Sequence, residues 1–196
     1  LRPGEPYRGE AVTETAKAFG DLFGAYGYAF ARVEPRPDID RAKGQVAVTL
    51  VADPQRRVYV RRIDVAGNTR TRDEVVRREF RQLESSWYDG NRIKLSRDRV
   101  DRLGYFNDVN VDTAEVPGAP DQVDLTVAVT EKPTGNLLIG ASYSNAEKLG
   151  LTASIRQDNV FGSGNYLGLE LNNRRTKRTV VVSTVEHYFI VAGTSR

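Results

Sequence analysis

The sequence predicts an α+β chain: two tandem mixed modules of the type β-α-α-β-β, the first truncated, followed by a run of antiparallel β-strands. Three observations carry this expectation. A pattern recurs at residues 6–35 and 87–117, each copy reading Tyr-x-Gly, an amphipathic helix, Gly-Tyr and a short strand. Only the second copy is preceded by a front half, the strand-like "RVYVRRIDVAGN" of residues 57–68 and a further helical pattern. After Pro133-Thr134-Gly135 the helical period gives way to alternation.

In the first copy Val12, Ala16, Phe19, Phe23 and Tyr26 fall at alternating spacings of four and three, which predicts one buried helical stripe. Ile93, Val100 and Leu103 keep that stripe in the second copy. Gly27 and Gly104 stand where a helix stops in a left-handed conformation. Each copy closes in a hairpin whose second strand alternates: Val46, Val48, Leu50 in one, Val123, Leu125, Val127, Val129 in the other. The stretches "RPDIDRAKG" and "PGAPDQ" supply the turns. Thr71-Arg72-Asp73-Glu74 reads as a capping box, opening a helix with Val76, Phe80 and Leu83 on its face. The first copy lacks its strand and first helix, so the chain is expected to start inside a module. The absence of methionine fits a piece of a longer or processed polypeptide.

The tail holds four runs of strand length, residues 136–144, 149–157, 166–173 and 178–186. Leu149, Leu151, Ala153 and Ile155 alternate with Gly150, Thr152, Ser154 and Arg156; Leu167, Leu169 and Leu171 alternate with Gly168, Glu170 and Asn172. Two architectures produce this pattern. One is a water-soluble meander with one face on a core, the other the start of a transmembrane barrel with its apolar face toward lipid. Four strands cannot close a barrel, so on the second reading most of it lies elsewhere.

Composition removes several classes of function. Of 196 residues 39% are hydrophobic and 28% charged, and no apolar run approaches the roughly 20 residues of a spanning helix. No signal-peptide pattern opens the chain. Cysteine is absent, which excludes disulfides and thiolate metal sites. His187 is the lone histidine, which excludes a multi-histidine metal site. No serine sits in a nucleophile elbow and no carboxylates pair, so the expectation is a protein that is no enzyme and holds no cofactor or metal. Trp87 and Tyr88 are expected to pack at the mouth of a helix.

The glycines of "QDNVFGSGNYLGLELN" invite a phosphate-loop reading, but a strand-like "YLGLELN" follows them where a helix is required. Gly162 and Gly164 therefore read as a tight hairpin turn. The net charge is +3, with 14 Lys/Arg against 8 Asp/Glu between Arg56 and Arg102. That surplus could attract nucleic acid or phospholipid head groups, though its interspersed signs fit a solvated helix surface better. A soluble basic module binding RNA or another polyanion would use Arg56, Arg57, Arg61, Arg62, Arg77, Arg78 and Arg81. The aromatic stacking pair such a sheet displays is missing, since "RVYVRRIDV" has only Tyr59.

Three stretches carry a family resemblance: "YVRRIDVAGNTRTRDEVVRREFRQLESSWYDG", "RLGYFNDVNVDTAEVPGAPDQVDLTVAVTEKPTG" and "IRQDNVFGSGNYLGLELN". The chain resembles the BamA family of outer-membrane protein assembly factors. The most specific parts are Val-x-Glu-Lys-x-Thr-Gly, residues 129–135, and Gln157-Asp158-Asn159. The resemblance implies POTRA modules leading into an outer-membrane β-barrel: residues 1–54 the back part of a fourth POTRA, 57–132 a complete fifth, and 136–196 the first barrel strands. It implies a non-enzymatic core component of the Gram-negative β-barrel assembly machinery, in the outer membrane with its POTRA modules in the periplasm. Such a machine would fold and insert outer-membrane proteins by β-augmentation at POTRA edges and at the first barrel strand. The lateral seam strand would be Asn136, Leu137, Leu138, Ile139, Gly140, Ala141, Ser142, Tyr143 and Ser144, and Gly162 and Gly164 would form a periplasmic turn. The implied partners are unfolded outer-membrane proteins, outer-membrane lipid and accessory lipoproteins (BamD-like), with no nucleic acid. The lipoprotein would dock at Glu79, flanked by Arg77, Arg78 and Arg81; the bland reading is that Glu79 makes local helix ion pairs. A related POTRA-barrel secretion transporter is the nearest alternative within the resemblance.

Overall fold

The computed structural model describes residues 2–144, 148–174 and 177–186; His187 lies outside them. In chain order the elements are α1 (Gly9–Ala25), β1 (Arg32–Asp40), β2 (Gln45–Asp53), β3 (Tyr59–Ala66), α2 (Asp73–Arg77), α3 (Gly90–Arg102), β4 (Phe106–Val116) and β5 (Ala119–Glu131). Four further strands follow: β6 (Gly135–Ser144), β7 (Lys148–Gln157), β8 (Tyr166–Asn173) and β9 (Arg178–Val185). The chain divides into two compact units. One comprises the residues up to Ala66 with Phe80–Val100 and Asn110–Ala128; the other comprises Gly67–Glu79, Asp101–Val109 and the chain from Val129 on.

In the first unit α1 accompanies the two-stranded antiparallel hairpin β1-β2. The hairpin is longer than "RPDIDRAKG" suggests, for the ladder runs on to Asp40 opposite Gln45. Pro35 and Pro37 are tolerated there because β1 is an edge strand. Only Val12 and Ala16 of the α1 stripe are buried, while Phe19 and Tyr26 remain 44% and 64% exposed. A two-stranded ribbon is too narrow to cover the whole stripe, and this corrects the expectation of one buried face.

The three-stranded sheet has the order β3-β5-β4, with β3 parallel to β5. The central β5 buries Val123, Leu125 and Val127 completely, as its alternation predicts for a strand covered on one face. Asp89 caps α3 by accepting the amides of Asn91 (3.0 Å) and Arg92 (3.1 Å).

The helix expected to carry Val76, Phe80 and Leu83 on one face stops at Arg77, and Leu83 is 63% exposed. Gln82 explains the chain beyond it. Its buried amide donates to the carbonyls of Leu83 (3.2 Å) and Trp87 (2.9 Å) and to Ser86 Oγ (2.8 Å), and accepts from the Asp89 amide (3.1 Å). One side chain thus satisfies a whole connection that a continued helix could not accommodate. The capping box does not form either: Arg72 occupies the cap position without a side-chain cap bond, and Thr71 serves another partner, described below.

In the second unit β6, β7, β8 and β9 form an antiparallel meander in that order. The register places Leu137 beside Ile155 and Leu169, and Ile139 beside Ala153 and Leu171. One face therefore collects Leu137, Ile139, Leu151, Ile155, Leu171, Val180 and Val182, all of them exposed, with Leu169 partly covered among them. The opposite face carries Asn136, Thr152, Ser154, Arg156, Glu170 and Asn172, together with Leu138. Among the described residues no helix is long and apolar enough to cross a membrane.

Candidate functional site

A network of polar bonds lies where β5 ends and the four-stranded sheet begins. Glu131 accepts hydrogen bonds from Thr69 Oγ1 (2.7 Å) and from the amides of Arg70 (3.0 Å) and Thr71 (2.6 Å). Burial alone would push its pKa up. The bonds from Thr69, from the Thr71 amide and hydroxyl and from the Arg70 amide outweigh it and bring the pKa down to about 2. Glu131 is therefore a fixed anion that pins residues 69–71.

Three residues on, Thr134 Oγ1 accepts from Gln157 Nε2 (2.7 Å) and its carbonyl accepts the Asp158 amide (3.1 Å). Asn159, only 8% exposed, donates through Nδ2 to Thr71 Oγ1 (2.8 Å) and accepts the Gly164 amide at Oδ1 (2.8 Å). The Arg72 amide donates to the Gly162 carbonyl (3.0 Å), and the Tyr105 hydroxyl to the Gly164 carbonyl (3.0 Å). The Tyr105 pKa is raised, chiefly by burial.

This network also explains the glycines. Gly162 and Gly164 have φ of 71° and 76°, and a Cβ on Gly162 would run into the Arg70 carbonyl oxygen. A Cβ on Gly164 would collide with the Arg78 guanidinium and meet the Val75 side chain at 3.2 Å. The connection is not the tight hairpin expected. Residues 158–165 form a longer loop with a 3-10 turn at Val160–Gly162, laid against the segment from Gly67 to Glu79.

The residues expected to receive a lipoprotein do not form one open surface. Glu79 lies beyond α2 and is 5% exposed, and Arg78 is half-buried over Gly164. Arg77 is exposed and bonded to Asp73, and Arg81 is exposed with its amide on Ser96 Oγ (2.8 Å). The residues expected to form a seam, Asn136 to Ser144, all lie in β6, an edge strand whose partner among the described residues is β7 alone. Among the described residues no group of three or more His, Asp or Glu is placed to hold a metal ion.

The edges of the three-stranded sheet differ. On the outer side of β3 the Val60 carbonyl accepts the Ser85 amide (2.7 Å), the Val60 amide binds the Ser86 carbonyl (2.9 Å) and the Tyr88 amide reaches the Val58 carbonyl (3.0 Å). Glu84 then takes the Ile63 amide at 2.8 Å, so this edge is sealed, whereas β4 is the edge on the other side.

A family model described as "POTRA: Surface antigen variable number repeat" matches residues 1–55 and 58–132. The chain belongs to the POTRA family. It is also 35% identical over 195 residues to the outer membrane protein assembly factor BamA of Neisseria meningitidis serogroup B, spanning 100% of this chain and 24% of that protein. Identity to the BamA of Nitratidesulfovibrio vulgaris is 37% over 155 residues, 79% of this chain and 19% of that protein. Among solved structures it resembles BamA from Haemophilus ducreyi lacking POTRA domains 1–3, with a TM-score of 0.81 and 31% identity over 96% of this chain and 36% of that one. The Haemophilus influenzae BamA POTRA3–5 structure follows at a TM-score of 0.65 and 34% identity, over 67% of this chain and 52% of that one. This chain thus spans about a quarter or less of those two full-length relatives.

Glu131, Thr134, Gln157 and Asn159 all fall inside the two family-specific motifs, yet the role of each emerges only from their meeting in space. Tyr105 and Thr71 carry no comparable signal. Tyr105 repeats Tyr28 of the first POTRA copy, and Thr71 has the local look of a helix cap.

Proposed function

We propose that this chain is the membrane-proximal part of a non-enzymatic outer-membrane assembly factor: the end of a fourth POTRA module, a fifth, and the first strands of a barrel. The observation that carries the reading is the four-stranded sheet with one exposed apolar face, one polar face and an uncovered first strand, continuous with a POTRA module. An apolar outer face suits outer-membrane lipid, and the modules then stand in the periplasm. Sequence likeness to assembly factors named BamA supports the same assignment.

In this function β6 offers its free backbone groups to the strands of an unfolded outer-membrane protein. Gly140, with nothing within 4 Å of where a Cβ would stand, leaves the strand lightly packed. Within the complete module the sealed edge of β3 leaves β4 as the strand for augmentation. An accessory lipoprotein contacts Arg77 and Arg81 from outside, while buried Glu79 shapes the same segment from beneath. Glu79→Lys tests this last role, and unchanged lipoprotein affinity with the module still folded would remove it.

The main test places single cysteines along β6, at Ile139 and Ala141, in the assembly-competent polypeptide that carries this chain. Crosslinks to the terminal strand of a substrate protein are expected. Their absence during active assembly would refute the templating role of β6.

A further inference from the structure

Phe161 is the most exposed large apolar side chain among the described residues, at 89%. Its backbone is left-handed, with φ 51° and ψ 27°. An aromatic residue is rare there, because Cβ crowds the following carbonyl. The loop gives it no room to relax. Its base is closed by the Val160 amide on the Asn165 carbonyl (3.0 Å), and Gly162 and Gly164 are held by Arg72, Asn159 and Tyr105. A strained phenyl group fixed in solvent by bonds on both sides is a presented group.

What surrounds it identifies the recipient. Two exposed arginines stand on the same network: Arg70, whose carbonyl abuts Gly162, and Arg72, whose amide binds Gly162 and whose guanidinium makes an exposed, exchangeable pair with Glu74 at 3.5 Å. Along the chain Phe161 lies midway between Ile155 and Leu167, the last apolar-face residues of β7 and the first of β8. The loop tip extends a few residues past the end of the ladder, at about 3.3 Å per residue along an extended strand. The headgroup layer on each side of a bilayer is about 5–8 Å deep, so the tip falls within it when the sheet spans the hydrocarbon. An exposed aromatic residue on a loop bonded to an arginine-bearing segment at that depth matches the interfacial pattern of membrane proteins.

We propose that Phe161, Arg70 and Arg72 form an interfacial anchor for anionic phospholipid in the leaflet that faces the POTRA modules. The proposal rests on the reading of the apolar sheet face as lipid-facing. The ring enters the boundary between headgroups and acyl chains, and the two guanidinium groups meet the phosphates.

The test uses the complete assembly-competent polypeptide in vesicles of phosphatidylethanolamine and phosphatidylglycerol, with lipids brominated at shallow or deep acyl positions. Phe161→Trp and Leu171→Trp are compared with the parent, assembly activity serving as the folding control. Leu171→Trp should be quenched best by deep bromines, and Phe161→Trp by shallow ones with a blue-shifted emission. Adding Arg70→Gln and Arg72→Gln should reduce the preference of position 161 for brominated phosphatidylglycerol over brominated phosphatidylcholine, by about fivefold per arginine. Quenching at 171 with none at 161 overturns the anchor and leaves the lipid-facing sheet standing. No quenching at either position overturns both. A tryptophan at 161 that ignores bromine but responds to added accessory lipoprotein assigns the ring to a protein partner and overturns the lipid anchor.

Discussion

Removing the Glu131 carboxylate should loosen residues 69–71 and the β7–β8 loop together. In Glu131→Ala the Thr69 hydroxyl and the Arg70 and Thr71 amides lose one shared acceptor. Hydrogen bonds to a charged group are worth about 1.5–3 kcal/mol each when taken singly, but a common acceptor makes them far from additive. The pKa offers an independent measure. The fall from 4.5 to about 2 corresponds to a ceiling of about 3 kcal/mol at ~1.4 kcal/mol per pH unit. Partial solvent access lowers that to roughly 2 kcal/mol. Because the folded-state pKa is depressed, this stabilisation is complete above the ordinary glutamate pKa and drains away as pH falls from 4.5 toward about 2. Amide exchange at Arg70 and Thr71, followed from about pH 6 down to about pH 3, reads it directly once corrected for intrinsic rates. Protection in the parent should fall across that window. Glu131→Gln should start lower and stay flat. A Glu131→Gln protein that keeps both the parent's protection and its pH response would show that another group anchors the segment.

Three further outcomes follow from the same contacts. Gly162→Ala meets the Arg70 carbonyl and a φ of 71°, whereas Gly118→Ala meets only its φ of 82°. The first should lower stability by several kcal/mol and the second by about 1 kcal/mol, as read from urea midpoints. Asn159→Ala leaves the Gly164 amide without its acceptor and Thr71 without its donor. It should cost about 2–3 kcal/mol, with exchange rising at Gly164 while β3 and β5 stay protected. Gln82→Ala strips four bonds from residues 83–89 and should cost about 3 kcal/mol, increasing protease cutting at Ser85 and Ser86 before global unfolding.

Elements whose pattern reflects burial on one face were legible from sequence. Val123, Leu125, Val127 and Val129 alternate because β5 is central and covered, and the same period delivers β7 and β8. Readings failed where a distant partner overrode a local rule. Thr71 looks like a helix cap, but its hydroxyl is taken by Asn159, 88 residues away. Phe80 and Leu83 extend a helical period that Gln82 interrupts by bonding the connection itself. Phe19 and Tyr26 continue a stripe that the two-stranded hairpin is too narrow to cover. The glycines near residue 162 announced a turn correctly, while the reason for them lies in the Arg70 carbonyl and the Arg78 side chain.

The Thr71–Asn159 bond also bears on the order of events during folding. Helix α3 and the hairpins close over short stretches of chain, and contacts of that kind form early. The bonds between Gly67–Glu79 and the β7–β8 loop wait for a closure spanning 88 residues. The segment that carries α2 is therefore expected to order after α3 and the hairpins. Until the β7–β8 loop has closed on it, the Gly67–Glu79 stretch is expected to be cut by protease more readily than α3 or the hairpins.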